Sequence, residues 1–354
     1  MSRSKRPLFA RRKGKVRPAR SARRIEAVEI KQETGFQPPK WPDRIRRLKA
    51  GRFHVDSREP GGDAPKNFIW VKQPGQVTDN WRSWVGYVAK VGHKVYPSES
   101  ITEQLLTRVG QIWRLNMADS ELMLCADQLR FMSRYFLSDE RILNHGAEIL
   151  AGYLSDKEFV DAVVVEGAEP ELFTFQVCCT AIRAQFGDDC HDLTRGFVTM
   201  IGFDALVGNQ DRHFYNWGVI TTPRGDSKPR FAPVYDTARG LFWNTVEAQL
   251  SKYDSDSSLN SYVTHSKALI GFDGHDGALR HFDLVERIAE LDPKYRRLLE
   301  SLGETASASV GRCEGMIDAE FSDLLSLSRR DLIKRCLRMR IGKFVRVLAR
   351  REVC

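Results

Sequence analysis

Between residues 208 and 236 the chain carries Gly208-Asn209-Gln210-Asp211-Arg212-His213-Phe214-Tyr215-Asn216 and then Pro233-Val234-Tyr235-Asp236. This stretch restricts the fold more than any other. Asp211 follows an apolar segment of helical character (Phe203, Leu206, Val207), so a helix must end there and hand over to a polar loop. Asn216 comes five residues later. The segments Trp217–Thr221 and Arg230–Val234 then read as a strand pair that brings Asp236 back to the loop. A carboxylate, an amide and a second carboxylate are hard oxygen groups. One can orient and take the proton of a hydroxyl, and two can hold a divalent cation on phosphate oxygens. Taken singly, Asn209, Asp211 and Asn216 are also ordinary turn formers that satisfy their own backbone. Their combination with the hairpin and Asp236 is what points to chemistry.

The composition sets outer bounds. A chain of 354 residues, 42% hydrophobic and 29% charged, has ample material for a buried core. No apolar run approaches the roughly 20 residues that span a bilayer, and no apolar segment follows the basic N-terminus as a secretory signal would require. The seven cysteines are scattered and lack a C-x-x-C pair, which reads as reduced thiols in a cytoplasmic protein and not as a disulfide frame or zinc site. The net charge of +9 belongs to the two ends. Residues 1–25 hold eleven of the 55 basic residues and no acid, and residues 329–354 hold ten more against Asp331 and Glu352. Residues 26–328 are left with 34 basic and 44 acidic side chains, a net of −10.

Three regions follow from texture. Residues 1–60 are basic and Pro-rich and read as a largely disordered arm, with a short ordered piece near Ile45 to Phe53. Such an arm either binds nucleic acid or an anionic surface through residues 1–25, or simply solubilises the chain. Residues 61–138 read as strands Asn67–Lys72 and Trp84–Val91, a helix opened by Pro97 and Ser98, and a hairpin of Leu122–Ala126 and Leu129–Ser133 turning at Asp127-Gln128. Residues 139–354 are mainly helical. The last helix places Ile333, Leu337, Ile341, Phe344 and Leu348 on one stripe, which favours packing on the domain over lying on a membrane.

Strands, one helix and a hairpin, followed by a helical region, are the order of a two-lobed α+β fold with a small, mainly β lobe and a larger, mainly α lobe. Asp211 and Asn216 are spaced as the catalytic Asp and metal-binding Asn of a protein-kinase loop, here with Asp before Arg-His. Lys90 ends a strand, Tyr87-Val88-Ala89-Lys90, like the Val-Ala-Ile-Lys strand of kinases, and Glu103 stands in the helix after it. Lys72 is a rival to Lys90. For Glu103 the alternative is a capping box over Ser100-Ile101-Thr102-Glu103. A G-x-G-x-x-G is missing, and residues 73–80, with Gly75, Thr78 and Asn80, are the substitute phosphate cradle. The nucleotide base is placed against the strand end 133–137, which includes Arg134 and Phe136. His213 reads as structural, and Arg212 as a residue that can contact phosphate. Ser251, Ser255, Ser257, Ser258 and Ser261 form either a phosphorylation segment or a flexible surface loop.

Together these residues resemble the HipA-like serine/threonine kinases. The matching segments are Tyr87–Val91, Pro97–Gly110, Asn144–Leu150, residues 202–219, Val234–Leu241 and His265–Gly271. The resemblance implies a kinase fold, ATP with Mg²⁺, and transfer to a Ser or Thr of a protein substrate. By position it implies Asp211 as catalytic base, Asn216 and Asp236 as metal ligands in a catalytic loop 208–216 and a metal motif 234–241, and Lys90 paired with Glu103 on the nucleotide phosphates. The family's extra N-terminal subdomain is not recognisable in residues 1–60, which leaves a toxin–antitoxin role outside what the resemblance implies. Phosphatidylinositol kinases share the Asp-Arg-His-x-x-Asn order and stand as the alternative, as does a non-catalytic, kinase-shaped binding module. The text after Asp236, Thr237-Ala238-Arg239-Gly240-Leu241, is more similar to the HipA group.

Overall fold

The computed structural model describes residues 25, 27, 29, 40–57, 66–93, 95–96 and 98–350. Six strands make the first sheet: β1 (Arg46–Arg47), β2 (Phe53–Val55), β3 (Lys66–Val71), β4 (Val85–Lys90), β5 (Ser120–Cys125) and β6 (Gln128–Arg134), in spatial order β1-β5-β6-β4-β3-β2. Alternation of side chains sends Ile69 and Val71, Tyr87 and Ala89, and Met123 and Cys125 to one face, where with Met132 they form a small core of their own. Helix α1 (Ser98–Ile112) covers part of the other face, so Leu124, Leu129, Leu105 and Val109 join the main core. Two of these strands, β1 and β2, lie inside the span read as an arm. The ordered piece expected near Ile45 to Phe53 is therefore part of the sheet, residues 40–57 around it are described, and residues 1–24, 26, 28, 30–39 and 58–60 of the arm lie outside the described residues. The β5–β6 turn falls one residue earlier than expected. Ala126 and Asp127 both have positive φ (51° and 57°), as a two-residue hairpin turn matching strand twist requires.

The larger lobe consists of β7 (Ile142–His145), α2 (Gly146–Leu154), α3 (Lys157–Glu166), α4 (Glu169–Leu172), α5 (Phe175–Phe186), α6 (Cys190–Val207), β8 (Gly218–Thr221), β9 (Arg230–Phe231), α7 (Asp256–His265), α8 (His281–Leu291), α9 (Pro293–Glu320) and α10 (Leu327–Ala349). A three-stranded sheet, β7-β8-β9, carries the hairpin expected before Asp236; β7 is an added strand that pairs with β8 in the register Ile142 to Thr221 through His145 to Gly218. The Ser- and Asp-rich stretch is not a flexible loop. Ser255 caps α7 by accepting a hydrogen bond from the Ser258 amide, and Leu259 and Val263 are buried beneath it. The apolar stripe of α10 is packed as expected, with Ile333, Leu337, Ile341, Phe344 and Leu348 all buried. No helix among the described residues is long and apolar enough to cross a membrane.

Several contacts tie the lobes, three of them away from the charged side chains of the cleft. Trp113, just after α1, meets Phe203 of α6 edge-on, and Arg108 makes a two-pronged pair with Glu320 at 2.9 and 2.8 Å. The third tie leads to the site: the Ala118 amide donates to the Val234 carbonyl at 2.9 Å and the Val234 amide donates to Asn116 O at 2.7 Å. That bridge fixes the chain two residues before Asp236.

Candidate active site

Lys90 ends β4 with its side chain turned into the gap between the lobes. Its ammonium donates to Glu103 Oε1 at 2.8 Å and to Asp236 Oδ1 at 2.8 Å. Lys90 and Glu103 are buried, and the Asp236 side chain keeps 27% exposure. Burial by itself would lower the Lys90 pKa, but the two carboxylates outweigh it and hold the ammonium charged above its ordinary value. Burial would raise Asp236, and the neighbouring cations Lys90 and Lys66 instead bring it below the usual carboxylate range. Glu103 lies deepest and shares one lysine with a second carboxylate, so burial pushes it up to about 7. The capping-box alternative for Glu103 does not hold, because α1 starts two residues earlier, at Ser98, and Ser100 Oγ accepts from the Gly92 amide at 2.7 Å. Lys72 points elsewhere, to Asp79 at 2.6 Å and the Val77 carbonyl at 3.2 Å.

The polar loop is held from beneath. Helix α6 ends at Gly208, whose φ of +69° suits glycine and turns the chain out of the helix. Asp204, one turn earlier, is buried and accepts from Asn209 Nδ2 at 2.9 Å and from both Arg212 Nε and Nη2 at 2.8 and 2.9 Å. Arg212 also donates to the carbonyls of Asn216 and Tyr235, at 2.7 and 2.6 Å. It is thus a buried clamp that joins the loop to the residue before Asp236, and it is not a phosphate contact. His213 accepts from the Tyr215 amide at 3.2 Å, and burial lowers its pKa, consistent with its structural reading. The loop is braced from a third side by His281, whose Nε2 lies 2.8 Å from Asn209 O.

Two groups remain turned to the cleft. Asn216 Nδ2 donates to the Asp211 carbonyl at 2.7 Å, which commits the amide nitrogen and leaves the side-chain oxygen as the acceptor on the cleft side. Asp211 Oδ1 accepts from Arg239 Nη1 at 3.1 Å. Arg239 also approaches Glu99 of α1 at 3.5 Å and stacks its guanidinium over Trp243 at 5.2 Å. Asp236 itself has φ +53°, a left-handed backbone unusual outside glycine, which aims its carboxylate back at Lys90.

These groups share one cleft of about 580 Å³, of a size that suits a nucleotide. Lys90, Glu103, Asp211, Asn216 and Asp236 all line it, as do Arg134 and Phe136. At the far end Val88, Phe136, Leu137, Leu143 and Tyr235 form an apolar wall. Residues 73–80 do not line the cleft. They leave the β3–β4 hairpin at its Val71–Val85 end, whereas Lys66 and Lys90 pair at the other end. The β2–β3 connection starts at that Lys90 end, and its residues 58–65, which include Gly61-Gly62, lie outside the described residues. The assignment to residues 73–80 failed because period-2 patterning does not say which end of a hairpin faces a cleft. Sequence reasoning also missed Lys66, Glu99, Arg239 and Tyr235. Arg239, three residues beyond Asp236, was the most accessible of these, since a cation so close to a carboxylate motif is itself a signal.

The donor set fits Mg²⁺. That ion favours one or two carboxylates with substrate phosphates and waters over an all-protein cage, and one carboxylate with one amide oxygen is such a set. The model of the HipA-like C-terminal domain family matches residues 60–309. Among solved structures, the chain is similar to the crystal structure of a Helicobacter pylori proinflammatory kinase, CtkA, with TM-score 0.65 and 16% identity over 83% of this chain and 94% of that one. It is also similar to a chain of the Shewanella oneidensis MR-1 toxin–antitoxin complex of HipA, HipB and operator DNA, with TM-score 0.51 and 14% identity over 95% of this chain and 74% of that one. No curated protein sequence matches it. The two structures show a shared two-lobed, kinase-like α+β fold, and the family match covers well over half of the sequence. The chain belongs to the HipA-like C-terminal domain family.

Proposed function

We propose that the chain is an ATP- and Mg²⁺-dependent protein kinase that phosphorylates a Ser or Thr of a protein substrate. The observation that carries this reading is the placement of Lys90 Nζ at 2.8 Å from both Glu103 and Asp236, in the cleft that Asp211 and Asn216 also line. Lys90 would take the nucleotide phosphates, with Glu103 orienting its ammonium. Asn216 and Asp236 would hold Mg²⁺, which when bound neutralises charge on the phosphate oxygens. Asp211 orients the acceptor hydroxyl and takes its proton. Arg134, Phe136 and the apolar wall would receive the base. The HipA-like family and the kinase among the structural neighbours support the reading. The Shewanella neighbour was solved with HipB and operator DNA, and for this chain a nucleic acid or anionic surface is proposed as a contact of the basic residues 1–25.

The test is phosphate transfer from labelled ATP with Mg²⁺ to the protein itself and to a soluble protein mixture. Asp211→Asn is expected to lower the rate by about 10² to 10⁴-fold, and Asp236→Ala to abolish transfer at any Mg²⁺ concentration. Full labelling by Asp236→Ala would remove the metal assignment, and label entering only phosphoinositide vesicles would assign the site to lipid.

A further inference from the structure

A second cavity, of about 470 Å³, opens where α5, the first turns of α6 and the first turns of α9 meet, and it shares no lining residue with the cleft. Its charge is the reverse of its surroundings. Residues 26–328 carry a net −10, yet Arg183 of α5, Arg195 of α6, and Lys294 and Arg297 of α9 converge on this one hollow. The side chains of Arg183, Lys294 and Arg297 form no ion pair or hydrogen bond with any described residue. Two carboxylates stand at the rim, Asp192 and Asp292, and each makes its own bond. Asp192 takes Lys228 Nζ at 2.7 Å, with Arg195 only at 3.7 Å, and Asp292 caps α9 by accepting from the Lys294 amide at 2.7 Å.

A second, independent observation comes from Thr194. It lines the cavity with 7% exposure, and its hydroxyl has no hydrogen-bond partner among the described residues. A helical threonine ordinarily bonds the carbonyl four residues back, as Thr107, Thr180 and Thr199 do here at 2.8–2.9 Å. Thr194 leaves that bond unmade, and its hydroxyl oxygen keeps solvent access, so it is open to donate to a ligand in the cavity. The remaining wall is apolar and neutral. Tyr295 and Leu298 flank the cations, and burial pushes the Cys179 thiol to about 12, so it presents no thiolate to repel an anion.

We propose that this cavity is a second ligand site, for a small organic phosphate of about nucleotide size. The guanidinium forks of Arg183 and Arg297 and the Lys294 ammonium would hold the phosphate, Thr194 would donate to it, and the organic part would lie on Tyr295 and Leu298. Calorimetric titration of the full chain with AMP, and separately with inorganic phosphate, tests this. The Arg183→Ala/Arg297→Ala variant is expected to weaken AMP binding about tenfold or more, since each charged hydrogen bond lost is worth at least that. Thr194→Val should weaken it several-fold, while Lys90→Met, which alters only the cleft, should leave this binding in place. Arg183 and Arg297 are exposed, so the double variant should melt like the wild type; if it does not, Thr194→Val and the single Arg297→Gln decide. AMP affinity unchanged by the cavity variants, or lost in Lys90→Met alone, would overturn the proposal. So would an absence of binding into the millimolar range, or inorganic phosphate binding as tightly as AMP.

Discussion

The side chain with the most consequence beyond the expected set is Arg239. It is bonded to Asp211, close to Glu99 of the smaller lobe and stacked on Trp243, so it fixes the direction of the Asp211 carboxylate from outside the loop. We read it as a positioning residue. Arg239→Ala should lower kcat about tenfold or more with KM for ATP little changed, and Arg239→Lys should restore part of it, whereas a purely structural role would lower stability and both constants together. Steady-state kinetics beside a melting curve distinguish the two. His281 carries a pH signature. Burial, helped by the nearby Arg340 cation, drops its imidazole to about 3 from an ordinary 6.5, so it stays neutral, with Nε2 on Asn209 O and Nδ1 3.1 Å from Ser266 Oγ. Between those two values the unfolded chain binds a proton that the folded chain refuses. Stability from this residue is therefore complete above pH 6.5 and falls as pH drops toward 3, by up to about 1.4 kcal/mol per pH unit. Urea unfolding at pH 7 and pH 5 should show a smaller difference for His281→Gln than for the wild type. At this scale Asp211, Asn216 and Asp236 were legible because their spacing is local. Arg212 was not, since its burial depends on Asp204, Asn216 and Tyr235 closing around it.

Among the elements, α6 decides where the loop begins. Its end at Gly208 combines a left-handed backbone with a tight approach: a Cβ there would sit 2.8 Å from the guanidinium carbon of Arg340. Arg340 is fully buried on α10 and donates to the Ala205 carbonyl at 2.9 and 2.7 Å, so it has little room to yield. Gly208→Ala should cost roughly 2 kcal/mol or more, the left-handed penalty of about 1–2 kcal/mol plus the displaced arginine. Gly311→Ala in α9, where nothing lies within 4 Å of the added carbon, should instead stabilise by about 0.5–1 kcal/mol. Chemical denaturation of both variants measures the contrast. Helices α1, α6 and α10 were readable from their periodicity and start signals. The α7 segment was not. Its serines and aspartates read as loop, and the helix forms because Ser255 caps it and Leu259 and Val263 find a core beneath.

At the scale of the molecule, the two lobes meet through α1 and through the bridge of residues 116–118 with Val234, so the smaller lobe helps to hold the segment that carries Asp236. A nucleotide that draws Lys90 away from Asp236 and binds both lobes should stabilise the whole chain. With a non-hydrolysable ATP analogue and Mg²⁺ at about a hundred times Kd, the gain is expected near 2.7 kcal/mol. It should be seen as a raised Tm and be absent in Asp236→Ala. A full shift in that variant would mean that the analogue is held without the proposed cation site. The sequence by itself determined the order of the lobes, the loop 208–216, the carboxylate at Asp236 after the hairpin and the charge at both ends, because spacing, periodicity and composition are properties of neighbouring residues. The tertiary structure alone decided that Lys90 and not Lys72 reaches Glu103 and Asp236, that residues 73–80 lie away from the cleft, that β7 joins the hairpin before Asp236, and that Arg239 reaches Asp211. Each of those outcomes depends on which strand end or helix face meets another across up to 146 residues of chain. Local patterning encodes which face of an element is buried, and only packing fixes what lies against it.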